Sequence, residues 1–470
     1  MGTIGVRFDV PEVESLTVML EVVILAAGQG TRMRSALPKV LHPLANQPLL
    51  HHVLETARQL SPQRLHVVIG HGADAVRERL DAPDINWIEQ KEQLGTGHAV
   101  LQAIPSIDVS SQVLVLYGDV PLLRHETLAS LANNSPALLT AQLDDPTGYG
   151  RVVRDHSGEL KGVVEHKDAS DEQRLINEIN TGVLVFPAAL LGDYLPRVGN
   201  ANAQGEYYLP DVLAMAVDEG HCVIALRADE ASETMGINDR QQLAEAESLY
   251  RKRTADALMR EGVSLLDPSR IDVRGRLSCD RDVIIDVNCV FEGEVHLGPG
   301  VRIGANCVLK DCSISEGSVI HPMSHIDSAS VGEKCNVGPF ARLRPGTKLG
   351  DNARVGNFVE TKNAEVGAGS KINHLSYVGD ARLGEGVNIG AGTITCNYDG
   401  VNKHHTEFGN NVFVGSNSTL VAPISIGDGG FVAAGSTVTV NVPEEALGVA
   451  RGKQRNISGW KTPKQRNSNS

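Results

Sequence analysis

The chain has 470 residues, which is too long for one hydrophobic core, so two domains of fair size are expected. Its net charge of −14 argues against nucleic-acid binding, because neutralising phosphates requires clustered lysine and arginine. The seven cysteines include no C-x-x-C pair, which argues against a zinc site or a disulfide framework and favours small, buried, reduced thiols.

The first eighteen residues show no clear hydrophobic period, and Met19 is followed directly by the first strand-like run. Residues 1–18 are therefore expected to be a dispensable, disordered leader. They lack the basic-then-apolar pattern of a signal peptide, and no segment resembles a transmembrane helix. The expected location is the cytoplasm.

Residues 19–237 alternate between strand-like and helix-like segments. Short apolar runs predict buried strands at 21–26, 65–70, 86–89, 113–117 and 137–143. Helices are predicted between them, for example over 48–60 and 97–104. This alternation indicates a doubly wound, Rossmann-like α/β domain with a parallel sheet covered on both faces. Ligands in such folds bind beyond the carboxyl ends of the strands.

Residues 238–261 contain neither Gly nor Pro and are rich in helix formers, and Gly262 fits a helix C-cap. The pattern predicts a linker helix over 238–262.

Residues 263–455 are predicted to form the second domain, and over most of residues 280–442 aliphatic side chains recur every six positions. Examples are Val331, Val337, Leu343, Leu349 and Val355, and later Phe408, Val414, Leu420, Ile426, Val432 and Val438, with looser copies at Val283, Cys289, Val295 and Val301. A six-residue period indicates a parallel β-helix, in which each hexapeptide supplies a short strand and a turn. Residues 396–407 interrupt the period and are predicted to leave the solenoid as a loop, here called the extruded loop. Residues 456–470 are expected to form a flexible tail.

The first strand runs into a glycine-rich turn over residues 25–39 (LAAGQGTRMRSALPK). Such a turn lets backbone N–H groups approach phosphates, and Arg32 and Lys39 add positive charge. The segment lacks the G-K-[ST] ending of the ATPase phosphate loop and the spacing of dinucleotide folds. A bare Gly-x-Gly-Thr is a weak signal, whereas the Arg, Met, Pro and Lys at fixed offsets make it specific.

Further motifs follow in order: 93–99 (QLGTGHA), 117–121 (YGDVP), 146–151 (PTGYGR), 164–167 (VEHK), 178–182 (EINTG), 202–208 (NAQGEYY) and 236–240 (GINDR). With the turn, they resemble the signature of sugar-nucleotide pyrophosphorylases. With the hexapeptide half, the chain resembles the bacterial bifunctional N-acetylglucosamine-1-phosphate uridyltransferase/glucosamine-1-phosphate acetyltransferases over roughly residues 20–455. The resemblance implies a nucleotidyltransferase domain followed by an acetyltransferase domain that is a left-handed parallel β-helix.

For the first domain, the resemblance implies transfer of uridylate from UTP to N-acetylglucosamine-1-phosphate with release of pyrophosphate. Arg32 and Lys39 would neutralise the phosphates, and Asp119 and Asn238 would bind Mg²⁺. The other implied contacts with UTP and the sugar phosphate are Leu25, Ala26, Ala27, Gly28, Gln90, Gly95, Thr96, Tyr117, Gly118, Gly150, Glu165, Asn180 and Asn238. Taken alone, an Asp after a strand or an Asn that opens a helix is more often a turn residue or a cap.

Acetylating an amino sugar requires a base for the ammonium proton, donors for the thioester oxyanion and cations for the sugar phosphate. By resemblance, His374 is the base and Glu360 the carboxylate that orients it. The implied contacts with the sugar phosphate and acetyl-CoA are Arg344, Lys362, Tyr377, Asn388, Ala391, Asn397, Tyr398, Lys403, Ser416, Ala434 and Arg451. A lone histidine on a β-helix is usually a surface residue, and no function is assigned to His321, His325, His404 or His405.

The resemblance also implies a homotrimer with the acetyl site between neighbouring solenoids, and acetylation before uridylyl transfer. The product, UDP-N-acetylglucosamine, would feed peptidoglycan and lipopolysaccharide synthesis. Three alternatives stay open: a uridylyltransferase whose β-helix is only a trimerisation scaffold, an enzyme for another sugar such as glucose-1-phosphate, and a binding protein without activity.

Overall fold

The structure is a computed structural model that describes residues 19–467, so the predicted leader lies outside the described residues. The chain divides into two compact units, the first ending at Tyr250 and the second beginning at Arg251. This division falls inside the predicted linker, residues 238–262.

A mixed sheet forms the centre of the first unit. Its strands and a small ribbon are β1 (Leu20–Ala26), β2 (Pro43–Leu44), β3 (Gln47–Pro48), β4 (Arg64–Ile69), β5 (Ile85–Glu89), β6 (Gln112–Tyr117), β7 (Ala137–Gln142), β8 (Arg151–Arg154), β9 (Leu160–Val164), β10 (Glu178–Pro187) and β11 (Ile224–Arg227). The sheet order is β11-β7-β10-β6-β1-β4-β5, with the β8–β9 hairpin attached to β10, while β2 pairs only with β3.

The five predicted strands correspond to β1, β4, β5, β6 and β7. The sheet is not wholly parallel as expected, because β10 runs antiparallel to both β6 and β7. The sequence pattern missed β10 since the polar triplet Asn180-Thr181-Gly182 interrupts its apolar run. That interruption coincides with a shift in register against β7.

Helices cover both faces of this sheet: α1 (Leu49–Gln59), α2 (Ala73–Leu80), α3 (Thr96–Ala103), α4 (His125–Ala132), α5 (Asp171–Arg174), α6 (Ala188–Tyr194) and α7 (Asp211–Asp218). Side chains of β1 alternate between the two layers, as a strand requires. Val22 and Ile24 pack in one buried cluster with residues of α1, and Val23 packs in another with residues of α3. The doubly wound architecture is thereby confirmed.

The linker region forms helix α8 (Arg240–Arg260), which starts two residues later than predicted. It ends as expected, because Gly262 has φ +98° and donates its N–H to the carbonyl of Met259. A further short helix, α9 (Pro463–Asn467), occurs within the segment predicted to be a flexible tail.

The second unit is a parallel β-helix with three faces. The first face contains Ser264–Leu265, Ile284–Ile285, Arg302–Ile303, Val319–Ile320, Asn336–Val337, Arg354–Asn357, Lys371–His374, Asn388–Ile389, Phe413–Val414, Phe431–Val432 and Leu447–Gly448. The second contains Ile271–Cys279, Cys289–Leu297, Val308–Ile314, His325–Asp327, Arg342–Leu343, Glu360–Val366, Tyr377–Leu383, Ile394–Cys396, Thr419–Val421 and Thr437–Val438. The longest strands of the second face continue at their carboxyl ends into the third face. The other strands of the third face are Ser330–Val331, Lys348–Leu349, Thr406–Phe408 and Ile424–Ile426.

The predicted six-residue recurrence lies inside the solenoid. The aliphatic residues at its recurring positions from Val283 to Val438 are all buried. Most of them pair with a residue one coil away, as Val337 does with Val355 and Val414 with Val432. The extruded loop is also present, because the coil from Ile389 to its partner Val414 is longer than the others.

The cysteines are free thiols, but the expectation that all are buried is only partly met. Four of them, Cys289, Cys307, Cys312 and Cys335, are buried in the solenoid, whereas Cys222 is exposed and Cys279 and Cys396 are intermediate. Desolvation raises the pKa of the buried thiols, to about 12 for Cys307. These four buried thiols are therefore unreactive and serve to pack the solenoid core.

Candidate active sites

A cavity of about 460 Å³ lies beyond the carboxyl ends of the parallel strands β1, β5 and β6. Predicted nucleotide-site residues line much of it: Leu25, Ala26, Ala27, Gly28, Arg32, Lys39, Gln90, Gly95, Thr96, Tyr117 and Asp119. The lining also includes four residues that the sequence analysis did not assign: Val40, Gln93, Ala99 and Glu206. Gln93, Ala99 and Glu206 belong to motifs already noted, so motif membership was the signal that could have identified these three.

The glycine-rich turn folds back on its own Pro-Lys pair. Gly30 has φ +61°, and a Cβ there would lie 2.6 Å from Cβ of Lys39. Gly72, after β4, has φ +70°, and its Cβ would lie 2.5 Å from Cγ of Pro38. Glycine therefore permits both the left-handed backbone and the close approach. The fixed spacing of the motif places Lys39 over the turn.

Two oxygens converge on the Lys39 ammonium. Its Nζ contacts Oδ2 of Asp119 closely and lies 3.1 Å from Oδ1 of Asn238, to which Arg32 Nη2 also donates at 2.8 Å. The ammonium stands in for a cation bound by one carboxylate and one amide oxygen. A divalent cation with phosphate and water as its other ligands fits this pair of oxygens.

The N-cap of helix α8 is Asp239, not Asn238. The Oδ1 atom of Asp239 accepts the N–H groups of Gln241 and Gln242, both at 2.9 Å. The N-cap role that a purely structural interpretation gives to Asn238 is therefore taken by Asp239. The side chain of Asn238 faces the cationic groups of the cavity instead.

The proposed uracil end of the cavity is built around a buried amide. Gln90 is only 3% exposed, and its Nε2 donates to the Gly95 carbonyl at 3.2 Å and lies 3.0 Å from Nδ1 of His98. Thr96 Oγ1 accepts the N–H of Leu209 at 3.1 Å. These bonds fix the amide and the start of α3 before any ligand binds.

Gly150, Glu165 and Asn180, the residues predicted to contact the sugar, lie together. The Asn180 N–H donates to the Gly150 carbonyl at 2.9 Å, and a Cβ on Gly150 would lie 2.9 Å from Glu165 Oε1. Burial raises the pKa of Glu165, reinforced by the carboxylates of Asp168, Asp211 and Glu206. Its oxygens can accept hydrogen bonds from sugar hydroxyls.

Tyr117 and Gly118, two more residues predicted to contact UTP or the sugar phosphate, lie near the sugar residues, and Tyr117 packs against Gly182. Gly182 has φ +82°, and a Cβ there would lie 2.6 Å from the ring of Tyr117. Gly118, next in the chain, donates its N–H to the carbonyl of Leu25 at 2.9 Å. Burial raises the pKa of Tyr117, so its hydroxyl stays protonated and can donate a hydrogen bond.

Arg151, in the 146–151 motif, was not singled out and is 1% exposed. Its guanidinium donates to the carbonyls of Tyr149 and, at 3.4 Å, Arg174. Its Nε is without a hydrogen-bond partner among residues 19–467. In this structure Arg151 therefore braces the loop that carries Gly150.

On the second unit, three cationic residues converge beside the extruded loop. The ammonium of Lys403 lies close enough to Lys362 to lower the pKa of the Lys362 ammonium. Arg344 contributes to the same lowering and bonds Glu360 Oε1 at 2.8 Å. Ammonium groups this close favour an anion between them, as a phosphate site requires. This group, Arg344, Lys362 and Lys403, is called the cation cluster below.

His374 and Glu360 lie on adjacent coils, but each has a different partner. Asn357 Oδ1 accepts from His374 Nδ1 at 2.8 Å. Glu360 faces Arg344 and, at 3.7 Å, Arg342. Because an amide oxygen accepts only, this bond leaves the lone pair of neutral imidazole on Nε2. The residue that orients His374 in the single chain is Asn357, which the sequence analysis missed.

Other predicted acetyl-site residues form a ladder at one solenoid corner. Ala391, Ser416 and Ala434 each stand two residues after paired first-face residues, Ile389, Val414 and Val432. Arg451 Nη1 donates to the Ala434 carbonyl at 2.8 Å. Asn388 pairs with Phe413 on the same face.

The remaining members belong to the loop region. Asn397 is 8% exposed, and its Nδ2 lies 3.4 Å from Oη of Tyr377. Tyr398 is 60% exposed and forms an antiparallel bridge with Lys403. The predicted residues thus occupy two neighbourhoods of one solenoid, the corner ladder and the cation cluster with its loop.

Within the described part of the chain, no group of three or more His, Cys, Asp or Glu side chains is arranged to hold a metal. Helices long and apolar enough to cross a membrane are likewise lacking among residues 19–467.

Comparison with known proteins matches both units. A family model described as the MobA-like NTP transferase domain covers residues 22–194. In the second unit, residues 273–366 match the GMPPB C-terminal domain, and residues 408–440 match the hexapeptide repeat of succinyl-transferase.

Relatives match along nearly the entire chain. The bifunctional protein GlmU of Marinobacter nauticus is 57% identical, over 95% of this chain and 99% of its own length. The bifunctional proteins GlmU of Stutzerimonas stutzeri and Azoarcus sp. are 57% and 56% identical, each over 94% of this chain and 99% of its own length.

The scaffold-only alternative is disfavoured, because both halves match relatives that are named bifunctional. A nucleotide and acetyl-CoA are the co-substrates of these activities, and the nucleotidyltransferase uses a divalent metal. The chain belongs to the bifunctional GlmU family, and it is a uridyltransferase and acetyltransferase that makes UDP-N-acetylglucosamine.

Proposed function

We propose that acetylation of glucosamine-1-phosphate occurs at the cation cluster and His374, and that uridylyl transfer then occurs in the cavity of the first unit. The observation that carries this assignment is the presence of two separate cationic sites in one chain. Lys39 and Arg32 mark one, and the cation cluster marks the other. Each suits a phosphate, which both successive sugar substrates carry.

In the acetyl step, the substrate ammonium loses a proton to Nε2 of His374. The freed amine attacks the thioester carbonyl and a C–N bond forms. The C–S bond then breaks, and the departing coenzyme A thiolate receives the proton that the attacking nitrogen gives up, so coenzyme A leaves as a thiol. Support comes from the Asn357 contact, which holds the imidazole with its lone pair on Nε2. The cation cluster holds the sugar phosphate while the amine reacts.

In the uridylyl step, the sugar-phosphate oxygen attacks the α-phosphorus of UTP and pyrophosphate leaves. Arg32 and Lys39 hold and neutralise the phosphates, and no protein nucleophile is needed. Mg²⁺ is the proposed divalent cation, with Asp119 and Asn238 as its protein ligands. When bound, it supplies further neutralisation of phosphate charge. The assignment is supported by the Lys39 ammonium, a cation already seated against both oxygens.

The enzyme works as a homotrimer of solenoids. Support comes from an apolar corner between the first and second faces, formed by Met323, Phe340, Phe358 and Leu375, which are 48 to 63% exposed. All four have positive φ between 50° and 63°, a region usually left to Gly and Asn. Exposed apolar side chains on unfavourable backbone indicate a surface that is covered in the assembly. Leu375 follows His374, so the proposed base lies beside this corner.

The proposed domain bounds are 19–237 for uridylyl transfer, 238–262 for the linker, 263–455 for acetyl transfer and 456–470 for the tail. The proposed location is the cytoplasm, where UTP and acetyl-CoA are available.

The test is the release of free coenzyme A thiol when purified protein meets acetyl-CoA and glucosamine-1-phosphate without UTP. His374→Ala should abolish the release, and His321→Ala, a histidine elsewhere on the solenoid, should leave it unchanged. A release that survives in His374→Ala would remove that residue from the proposed role. No release from a preparation active with UTP would restrict the chain to uridylyl transfer.

A further inference from the structure

One carboxylate near the cation cluster has no part in the scheme above. Asp380 is 7% exposed and stands at the corner between the second and third faces, with φ +46°. Asn363 Nδ2 donates to its Oδ1 at 2.7 Å from 17 residues earlier in the chain. Asn397 Nδ2 donates to its Oδ2 from 17 residues later. Each oxygen is thus held by an amide from an adjacent coil.

The extruded loop has its own internal bonds. Asp399 accepts from the N–H groups of Val401 and Asn402 and lies 2.8 Å from Nε2 of His404. Tyr398 bridges to Lys403, and His404 donates its N–H to the Asn397 carbonyl. These contacts shape the loop but do not fix its position over the solenoid. In the described chain, the side chain of Asn397 ties the loop to the solenoid, through Asp380 at the corner and, at 3.4 Å, through the hydroxyl of Tyr377.

Asp380 interacts electrostatically with the two lysines of the cation cluster. Burial would raise its pKa, yet the amides of Asn363 and Asn397 and the ammoniums of Lys362 and Lys403 hold the pKa below its usual range. Asp380 is therefore ionised at neutral pH. Its negative charge offsets the repulsion between the two lysines, which otherwise drives them apart when no anion is bound.

Asp380 is badly placed to touch a substrate. Both of its oxygens already accept hydrogen bonds, and almost none of its surface is exposed. Its influence must pass through Asn397 at the base of the loop, which it binds, and through the two lysines, whose charges it offsets.

We propose that Asp380 is a positioning residue that anchors the extruded loop so that Lys403 meets Lys362 across the site for the sugar phosphate. This inference rests on the proposed assignment of those two lysines to the phosphate.

The test uses the full-length enzyme and the variants Asp380→Asn and Asp380→Ala. Each should raise KM for glucosamine-1-phosphate by roughly tenfold or more, because small displacements of a binding group cost up to about a hundredfold. KM for acetyl-CoA and uridylyl transfer should be unchanged. Without ligands, trypsin should cut after Lys403 faster than in the parent enzyme.

The matched control is Asp311→Asn. Asp311 stands at the same corner with φ +45°, and its Oδ1 accepts the N–H of Glu294, but no loop follows it. This variant should alter neither KM nor cleavage after Lys403. If Asp311→Asn had an equal effect, any aspartate at this corner would act in the same way, and the specific anchoring role of Asp380 would be wrong.

A swap tests the contact itself. In Asp380→Asn with Asn397→Asp, a carboxylate again faces an amide, so protection of Lys403 from trypsin should return. Lys403→Ala separates the two proposals. If it leaves KM for glucosamine-1-phosphate unchanged, the phosphate assignment fails. If it raises that KM while Asp380→Asn alters neither KM nor cleavage, the anchoring role of Asp380 is wrong.

Discussion

The nucleotide cavity and the solenoid site bind phosphate by different means. The cavity forms where parallel strands end, with a glycine turn that brings backbone and Lys39 together. The solenoid offers a regular surface, and its cation cluster depends on one loop that leaves the coil. A sheet edge provides a cleft through its topology, whereas a β-helix must add a segment to enclose a ligand.

The sharpest test of this contrast is whether the two sites fail independently. Lys39→Ala should lower uridylyl transfer by about a hundred- to a thousandfold, since a preorganised cation on reacting phosphates is lost. Release of coenzyme A without UTP should be unchanged. Lys161→Ala, an exposed lysine of β9, should affect neither activity. Equal losses in both assays after Lys39→Ala would contradict separate sites.

The solenoid site should depend on assembly, and the cavity should not. Phe358→Asp places a charge at the apolar corner, where the Phe340 and Phe358 rings stack 5.2 Å apart. We expect monomers by light scattering, at least a tenfold or so loss of acetyl transfer, and full uridylyl transfer. Val440→Asp, at an exposed position away from that corner, is the control. A Phe358→Asp trimer with full acetyl transfer would remove the corner from the interface.

The cavity should also be sensitive to an added side chain at the glycine that precedes helix α3. Gly95→Ala forces a Cβ to 2.6 Å from the Tyr207 carbonyl at φ +114°, so KM for UTP should rise roughly tenfold, from strain of about 1–3 kcal/mol. Gly199→Ala, where a Cβ meets nothing within 4 Å, should behave as the parent enzyme. Steady-state kinetics measure KM for UTP. An unchanged KM in Gly95→Ala would show that the backbone at this position relaxes to accept a side chain, against the prediction.

The smallest expected effect concerns Glu165. Its folded-state pKa is raised, so the folded protein binds more protons than the unfolded chain, and stability falls as pH rises from the unfolded pKa through the folded one. Glu165→Gln removes this penalty and should raise Tm by about 1–2 °C above pH 6 and by almost nothing at pH 4. Exposed Glu159→Gln is the control, measured by thermal unfolding. A pH-independent gain would locate the effect in packing instead.

Sequence reasoning was most effective where the chain repeats a local pattern. The six-residue period predicted which side chains lie inside the solenoid, from Val283 to Val438. The turn and the predicted residues that follow it in the chain account for most of the residues that line the cavity. It was least effective for β10, whose apolar run is broken by a polar triplet, and for Asn357 and Asp380, which carry no motif of their own.

The sequence by itself determined the architecture of each half, because burial periodicity and glycine-permitted turns are properties of neighbouring residues. Only the tertiary structure decided which distant groups meet. Asn238 reaches Lys39 across 199 residues, and Asn397 reaches Asp380 from the next coil. Such meetings depend on strand order and coil register, which no local spacing encodes.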